Sequence, residues 1–275
     1  MSAADTYIAM IDAASVQRAR IHGEIAPGDR YCEVASARRL RADPRRALNA
    51  NMELLAGFIQ PTDVLLDVGG GAGRIGLPLA LGCRRVINVD PSPIMLREFD
   101  DCAAEAGISN VRSIVGDWVE VPTVTADVVL SSHVTYFVRD IVPFIQKLNT
   151  AARRRVIIDI SSTANPNRSD YLFRLVYGED QATLPALREL MEVIWELGIL
   201  PDIKVLPQPF GDGRTTTREA AIEQAMEGTW FAPGDRDKAA RILESRFDEL
   251  FSYETDGYRA LWPTPRREVI ITWEP

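Results

Sequence analysis

Residues Val64 to Gly76 read Val-Leu-Leu-Asp-Val-Gly-Gly-Gly-Ala-Gly-Arg-Ile-Gly and contain the glycine-rich turn that decides the fold. The apolar run before the turn has the length and composition of a buried parallel strand, and the residues after it begin a helix. Glycines between a strand and a helix let the backbone approach a ligand where a Cβ atom would clash. The stretch therefore predicts a nucleotide-like ligand at the first strand-to-helix turn of an α/β domain.

Short apolar runs and helical stretches alternate along the rest of the chain. Further strands are predicted at Val86–Val89, Val111–Val115, Asp127–Leu130 and Val156–Ile160, and crossover helices at Arg74–Leu81, Pro93–Ala106 and Asp140–Ala152. A later helix is predicted at Leu184–Leu197, and the last two strands at Ile203–Leu206 and Glu268–Trp273. This alternation is typical of a doubly wound α/β fold, so we expect a seven-stranded, mainly parallel, Rossmann-like sheet.

The remaining segments are predicted to be helical additions to this sheet. Apolar residues at helical spacing from Thr6 to Gly23 and from Pro44 to Ile59 indicate that residues 1–60 form an N-terminal helical cap. Asp43 before Pro44 fits an N-cap followed by proline at the first helical position. The ligand-binding domain then spans residues 61–275, and a helical insertion at residues 211–265 is expected to form part of a lid over the substrate.

The composition limits the partners of the protein. Hydrophobic residues make up 46% of the 275 residues and no apolar run approaches the length of a membrane span, so we expect no membrane partner. The net charge of −8 disfavours nucleic acid. The N-terminus has no secretory pattern, which predicts a cytoplasmic protein. Three cysteines and two histidines at wide spacing suit neither a disulfide framework nor a metal cluster, so no metal is expected.

Two cofactor classes compete for the glycine-rich turn. Gly71, Gly73 and Gly76 have the G-x-G-x-x-G spacing of a dinucleotide site, which would indicate an NAD(P)-dependent oxidoreductase. Asp67 favours a different ligand, because a carboxylate at this position would repel a pyrophosphate but attract an ammonium and a sulfonium group. The pattern Asp67-x-Gly69-x-Gly71-x-Gly73 resembles the first motif of the class I S-adenosylmethionine (AdoMet) methyltransferases.

Later positions agree with this resemblance, which implies a role for each of them. Asp90 ends the second strand, where a carboxylate can accept hydrogen bonds from two ribose hydroxyls; dinucleotide enzymes share this feature. The resemblance implies that Met95, in the sequence that begins at Pro91, packs on the adenine, and that Asp117 contacts the adenine amino group. Trp118 either covers the adenine face or packs a loop.

The turn after the fourth strand is expected to face the reactive methyl group, because ligands of doubly wound sheets bind beyond the carboxyl ends of the strands. Ser131, at the end of this strand, is therefore included among the cofactor-binding residues. His133 is the candidate general base, since histidine titrates near neutral pH, and Tyr136 is the second candidate. The turn lacks the Asn/Asp-Pro-Pro-aromatic sequence of methyltransferases that modify nucleobase and glutamine amino groups, which argues against those substrates.

The predicted function is methyl transfer from AdoMet to a small-molecule acceptor, by in-line displacement at an oxygen atom, with nitrogen and carbon as alternative acceptor atoms and S-adenosylhomocysteine as the product. An NAD(P)-dependent oxidoreductase and a non-catalytic AdoMet-binding protein are the alternatives. Aromatic side chains in the variable segments favour an apolar or aromatic acceptor; they are Tyr7, Tyr31, Phe173, Tyr177, Trp230 and Phe231. The oligomeric state does not follow from the sequence.

Overall fold

A computed structural model describes residues 1–23, 34–207, 214–227, 229, 231–232 and 234–275, and only the backbone of residues 34–36. Its strands are β1 Val64–Val68, β2 Arg85–Asp90, β3 Val111–Val115, β4 Ala126–Ser132, β5 Ala152–Ser161, β6 Asp202–Val205, β7 Phe251–Glu254, β8 Gly257–Ala260 and β9 Glu268–Trp273. Seven of them form one sheet in the order β3-β2-β1-β4-β5-β9-β6, and β7 and β8 form a separate hairpin.

Helices connect and cover these strands. They are α1 Ala3–His22, α2 Val34–Arg39, α3 Ala50–Ala56, α4 Gly76–Ala80, α5 Pro93–Glu105, α6 Ile141–Ala151, α7 Asp170–Tyr177, α8 Leu187–Glu196, α9 Arg218–Met226, α10 Asp235–Ser245 and α11 Phe247–Leu250. Helix α5 begins as its sequence predicts, because Ser92 accepts a hydrogen bond from the Met95 amide and Pro93 occupies the first turn. In the part of the chain that the structure describes, no helix combines the length and apolar content that crossing a membrane requires.

The sheet confirms the predicted doubly wound fold. Strands β1 to β5 pair in parallel, whereas β9 lies antiparallel between β5 and β6. Because β9 runs in the opposite direction, its first residue, Glu268, pairs with Ser161, the last residue of β5. The start of the final strand therefore lies at the edge of the sheet where the parallel strands end.

Alternate residues of the strands supply two hydrophobic cores, one on each face of the sheet. One face is covered by α1, α6 and α8, with Ile145 and Leu148 of α6 fully buried. The other face is covered by α3, α4 and α5, where Leu77 and Phe99 are fully buried. Helices of the first 60 residues thus cover both faces instead of forming one cap.

The predicted helix from Pro44 to Ile59 is shorter in the structure. Helix α3 begins only at Ala50, because the Asn49 side chain accepts a hydrogen bond from the Met52 amide and caps it. Asp43 does not cap this helix; its carboxylate accepts from the Arg45 amide in a separate turn. Side chains of this turn bond to carbonyls of the domain, which holds residues 44–46 outside the helix.

The insertion between β6 and β9 packs mainly against α7, a helix that the sequence pattern does not predict. Leu172 and Val176 of α7 share a small core with α9, α10, α11 and the β7–β8 hairpin. Helix α7 in turn lies next to α1, since Phe173 and Ala14 line one crevice. Strands β6 and β5 end, and β9 begins, at the same edge of the sheet, so the insertion leaves and re-enters the domain at that edge.

Most of the aromatic residues proposed to surround the acceptor belong to this small core or to the core under α1. Phe173 and Tyr177 pack with ring centroids 4.7 Å apart, and Phe231 packs against the α7 core. Tyr7 is fully buried and donates a hydrogen bond to the Thr135 carbonyl oxygen. Tyr31 and Trp230 lie outside the described residues. The described aromatic residues of this set therefore stabilise the helical additions and give no support to an aromatic acceptor.

Candidate active site

The glycine-rich turn after β1 has the tight backbone that its sequence predicts. Gly69 has a φ of 73°, and a Cβ atom there would lie 2.4 Å from Val134 Cγ2. Gly71 has a φ of 54° and is covered by Met95, whose methyl group would lie 2.7 Å from an added Cβ. Any larger side chain at Gly69 would displace the turn that follows β4, so the glycine keeps two strand ends close together.

Asp67 lies underneath this turn and is almost completely buried. One of its carboxylate oxygens, Oδ2, has no hydrogen-bond donor among the described residues, and added Cβ atoms at Gly70 and Gly76 would lie 2.4 and 2.5 Å from it. Burial, together with the nearby negative charge of Asp90, raises the pKa of Asp67 to about 7. An unpaired buried carboxylate at the floor of a glycine turn is suited to a cationic ligand.

Asp90, at the end of β2, connects the turn to the next helix. Its Oδ2 accepts a hydrogen bond of 3.0 Å from the Gly71 amide, and its Oδ1 accepts one of 2.8 Å from the Ser92 amide. Burial raises its pKa, while these two hydrogen bonds oppose the shift. Each carboxylate oxygen keeps a second lone pair, so Asp90 can hold the loop and still accept from ligand hydroxyls.

A cavity of about 590 Å³ lies above the glycine turn and the ends of β1, β2 and β4. Most of the predicted cofactor and catalytic residues line it together; they are Asp67, Gly69, Gly71, Asp90, Pro91, Met95, Asp117, Trp118 and His133. Phe137 and Phe144 add apolar surface. The cavity size is within the range of small-molecule and cofactor sites.

Three predicted site residues do not line this cavity. Gly73 supports the turn from behind, where an added Cβ would lie 2.5 Å from the Phe99 ring. Ser131 is buried on the other face of the sheet, and its neighbour Ser132 reaches the cavity instead, because successive strand residues point to opposite faces. Tyr136 is buried behind His133.

Asp117 and Trp118 occupy the far wall of the cavity in different ways. Asp117 is exposed, and its carboxylate accepts a hydrogen bond from the Val119 amide, so it both forms a turn and faces the cavity. Trp118 is buried, and its indole N–H donates to the Phe144 carbonyl oxygen at 3.3 Å. The ring of Trp118 is therefore held by α6 and forms a fixed apolar wall of the cavity.

His133 lies at the mouth of the cavity and contacts three other polar side chains, which with it form the His133 cluster: Tyr136, Asp159 and Glu268. Its Nε2 lies 3.0 Å from Glu268 Oε1 and 3.8 Å from Asp159 Oδ2. Its Nδ1 lies 3.3 Å from the Tyr136 hydroxyl, a longer contact. The φ of His133 is 58°, an uncommon conformation for a residue with a side chain, and it directs the imidazole toward the carboxylates.

Opposing influences set the charges in this cluster. Burial acts on Glu268 most strongly and raises its pKa, but hydrogen bonds from His133 and Asn51 and the charges of His133 and Arg266 together lower it. Burial raises the pKa of Asp159. Burial also raises the pKa of Tyr136 to about 12, so its phenol stays protonated near neutral pH. Glu268 is therefore the ionised partner of His133.

The cluster could also hold a metal ion, because ligand atoms of His133, Asp159 and Glu268 lie within 4.8 Å of one another. Basic side chains of the protein already act on the carboxylates of Glu268 and Asp159. The charges of His133 and Arg266 act on Glu268, and those of His133 and Arg74 act on Asp159. We describe the cluster as an acid–base site, and the expected absence of a metal stays a prediction.

Three residues of this site were missed from the sequence. Asp159 and Glu268 fall in predicted strands, but the parallel pairing of β4 with β5 brings Asp159 to His133, and the antiparallel pairing of β9 with β5 brings Glu268 there. Asn51, near the start of α3, donates a hydrogen bond of 3.0 Å to Glu268 Oε2. A mainly parallel sheet with one antiparallel strand was the signal available, since it places the start of the last strand at the ligand-binding edge.

Comparison with known proteins supports the resemblance seen in the motifs. The family model described as a methyltransferase domain matches residues 66–158, which include the glycine turn, Asp90 and His133. No curated protein sequence matches the chain.

Solved structures share the whole architecture at low sequence identity. The YcgJ protein from Bacillus subtilis is 16% identical, with a TM-score of 0.56, over 81% of this chain and 97% of that chain. A SAM-dependent methyltransferase from Thiobacillus denitrificans, in complex with S-adenosyl-L-homocysteine, is 12% identical, with a TM-score of 0.53, over 88% and 97%. A geranyl diphosphate methyltransferase, in complex with GPP and sinefungin, is 17% identical, with a TM-score of 0.50, over 95% and 93%. At these identities the likeness establishes the fold.

The site fits AdoMet on its own geometry. The glycine turn leaves room that a Cβ atom would fill, and the unpaired Asp67 oxygen at its floor suits a cationic ligand. Asp90 keeps lone pairs for hydroxyl donors, whereas a buried carboxylate below the turn disfavours the pyrophosphate of a dinucleotide. These features of the site fit AdoMet, and residues 66–158 around it match the model of a methyltransferase domain.

Proposed function

We propose that the protein methylates an oxygen atom of a small-molecule acceptor, and that His133 takes the proton of that oxygen. The observation that carries the proposal is the contact of His133 Nε2 with Glu268 at 3.0 Å at the mouth of the AdoMet cavity. A histidine oriented by a carboxylate is the arrangement that general-base catalysis requires. His133 is the residue of the cluster that lines the cavity, so it is the one that an acceptor can reach.

The contacts of the imidazole identify the nitrogen that acts as base. Because an ionised carboxylate only accepts hydrogen bonds, Glu268 keeps the proton of His133 on Nε2. Nδ1 then carries the lone pair, and its contact with the Tyr136 hydroxyl at 3.3 Å is long enough to yield to a substrate hydroxyl. Tyr136 accepts a hydrogen bond from the Ser161 amide and orients the ring, so its role in the proposal is to position His133.

The proposed transfer needs no covalent enzyme intermediate. AdoMet supplies an electrophilic methyl group on a sulfonium, which leaves as the neutral thioether of S-adenosylhomocysteine. The acceptor oxygen forms the new bond to carbon as its proton passes to His133 Nδ1, and Glu268 stabilises the imidazolium that results. Alignment with water excluded contributes up to about 7–11 kcal/mol in well-oriented reactions, so the base supplies only part of the acceleration.

A small acceptor suits the shape of the site. The cavity of about 590 Å³ has the size of a small-molecule site, and His133 lines it. The geranyl diphosphate methyltransferase that shares this fold is named for a small-molecule acceptor. We propose that α7 and the insertion close over this end of the sheet as the lid. The topology supports this proposal, because the insertion leaves the sheet after β6 and returns to it at β9, at the edge where Glu268 lies. A cytoplasmic location stays a prediction.

Methyl transfer is tested directly by incubating the protein with AdoMet and a metabolite extract. We expect a product heavier by one methylene unit, formed together with S-adenosylhomocysteine. A protein heated until it unfolds is the blank. Binding of AdoMet without a methylated product from any extract would favour a non-catalytic AdoMet-binding protein, and stabilisation by NAD(P) but not by S-adenosylhomocysteine would favour the oxidoreductase.

Glu268→Gln is expected to lower kcat by at least about tenfold and to move the acidic limb of the pH–kcat profile to lower pH. The amide fills the same volume but cannot neutralise the imidazolium that forms during the reaction. Glu244→Gln, an exposed residue of α10, is the matched control. Steady-state kinetics with the identified acceptor provide both readouts, and an unchanged profile would show that Glu268 does not act on His133.

Asp67 is expected to link AdoMet binding to proton release. Its pKa of about 7 leaves much of the carboxyl protonated below neutral pH, and a bound cation favours the ionised form. Binding should therefore release protons, and affinity should rise from about pH 6 to about pH 8. Without the cation, the raised folded-state pKa makes the protein less stable as pH rises from about 4 to about 7.

Calorimetry in two buffers that differ in ionisation enthalpy measures this proton release. Asp67→Asn is expected to bind AdoMet more weakly and with no release attributable to this site. Equal heats in both buffers for the unaltered protein at about pH 6.5 would contradict the linkage.

A further inference from the structure

The strand pair β5–β9 continues past the edge of the sheet as a short extension of two paired segments, residues 162–168 and 264–267. The Ser162 amide donates to the Arg267 carbonyl oxygen at 2.8 Å, and the Arg267 amide donates to Ser162 Oγ at 3.0 Å. These bonds continue the ladder that pairs Ser161 with Glu268. The extension therefore stands beyond the carboxyl end of β5, directly next to the His133 cluster.

Two arginines of the extension are held by bonds that run in opposite directions across it. Arg168 Nε donates to the Thr264 carbonyl oxygen at 3.1 Å, and Arg266 Nη1 donates to Asn165 Oδ1 at 2.9 Å. Each bond uses one nitrogen of its guanidinium group, so the groups are anchored while further N–H donors remain on Arg168. The two side chains come from different segments, and the crossing bonds bring them together.

The pair has an unusual electrostatic environment. Both side chains are half-buried. Burial lowers the pKa of Arg168, and burial followed by the positive charge of Arg168 lowers the pKa of Arg266. Within the described ranges no carboxylate lies within ion-pair distance of Arg168, whereas more exposed arginines such as Arg139 pair with an aspartate. Two cations brought together away from water cost free energy, and an anion bound between them would offset that cost.

The arginine pair lies close to the residues that are proposed to act on the acceptor oxygen. Arg266 precedes Glu268 by two residues, and along an extended chain residues two apart project from the same side. The charge of Arg266 acts on Glu268 and on Tyr136, so its guanidinium group lies near the His133 cluster. Two residues of extended chain span about 7 Å, so an anion at the arginine pair would lie about that far from an oxygen held at His133.

We propose that the acceptor carries an anionic group, a carboxylate or a phosphate, and that Arg168 and Arg266 bind it while its hydroxyl lies at His133. This proposal rests on the proposed methylation of oxygen and narrows its acceptor to hydroxy acids or phosphate esters that carry a hydroxyl group about 7 Å from the anion. The guanidinium groups match both anions, because their planar N–H donors bind carboxylate and phosphate oxygens in pairs. The negative charge of Glu268 would repel an anion from the base itself.

Binding to the complex of the full chain with S-adenosylhomocysteine tests this subsite without turnover. The probes are para-hydroxyphenylacetate, para-hydroxyphenyl phosphate and the neutral para-hydroxyphenylacetamide, measured by calorimetry. We expect at least one anion to bind about tenfold or more tightly than the amide, because charge-assisted hydrogen bonds are absent from the amide complex. Which anion binds more tightly separates a carboxylate acceptor from a phosphate acceptor.

Variants of Arg168 and Arg266 test whether these side chains cause the preference for the anion over the amide. Arg168→Gln and Arg266→Gln are each expected to remove most of the preference for the anion and to leave the amide and S-adenosylhomocysteine affinities unchanged. Arg168→Lys should keep part of it, since the charge remains without the paired donors. Arg188→Gln, an 84% exposed side chain on α8, is the control. Melting temperatures identify any variant that fails to fold, and Arg168→Lys then serves as the test.

Equal affinity for acid, phosphate and amide, or no measurable binding of either anion, would overturn the proposal, as would a preference that survives Arg168→Gln. These results differ from failure of the methyl-transfer proposal, which would appear as no mass increase in any acceptor. Methylation of neutral acceptors alone, unchanged in Arg168→Gln, would leave oxygen methylation standing and remove the anionic acceptor.

Discussion

Replacing His133 with asparagine is expected to lower kcat by about 10²- to 10⁴-fold, the range that general-base assistance contributes. Asparagine suits the test because it tolerates the left-handed backbone at this position, where φ is 58°. The imidazole contacts Glu268 and Tyr136 and has no hydrogen bond to the glycine turn, so AdoMet affinity should stay nearly unchanged. A loss confined to kcat would identify an interaction made in the transition state.

The measurement is the kcat of both proteins between about pH 6 and pH 9 with the identified acceptor. His133→Ala adds a second variant of smaller size, and His22→Asn, at a residue of α1 that does not line this cavity, is the matched control. Turnover at the level of the unaltered protein across that range would mean that alignment of the reactants carries the reaction and that His133 is not a base.

Asp90→Ala is expected to weaken AdoMet binding by about 100-fold, because two charge-assisted hydrogen bonds to ribose hydroxyls contribute about 1.5 kcal/mol or more each. The change should also lower the free energy of unfolding by about 1–3 kcal/mol. Its carboxylate accepts the Gly71 and Ser92 amides at 3.0 and 2.8 Å, and the alanine leaves both amides without their acceptor. Calorimetric titration and chemical denaturation measure the two effects separately.

Asp90→Asn is the control for this change. It keeps the shape and one acceptor oxygen, so it should recover part of the stability while AdoMet affinity stays reduced. An Asp90→Ala protein that binds AdoMet as tightly as the unaltered chain would exclude Asp90 from the cofactor site, whatever its stability.

The fold and the cofactor site were readable from the sequence because both depend on local patterns. A buried strand needs a continuous apolar run, and the turn after it needs glycines where φ is positive, as at Gly69 and Gly71. Asp67 and Asp90 stand at fixed distances from those glycines along the chain. Because β1 and β2 are neighbours in the sheet, both carboxylates reach the same cavity.

Local patterns were less reliable where tertiary contacts compete with them. Pro44 and the apolar spacing after it predict a longer helix, but the carbonyls of the domain bind the arginines of that turn and α3 starts at Ala50. Ser131 is predicted at the cofactor, but Ser132 lines the cavity, because one residue of register exchanges the two faces of a strand. The aromatic residues of α7 have the composition of a pocket but pack in a small core of their own.

The doubly wound fold, the glycine turn and a histidine beyond the fourth strand can all be read from the chain, since each is encoded within a few neighbouring residues. The side chains that surround this histidine depend on tertiary contacts. Glu268 lies 135 residues from His133 along the chain, and it reaches Nε2 because β9 runs antiparallel beside β5 and begins where β5 ends. The same pairing places Arg168 next to Arg266. Contacts between distant segments depend on strand order and direction, which no short stretch of sequence contains.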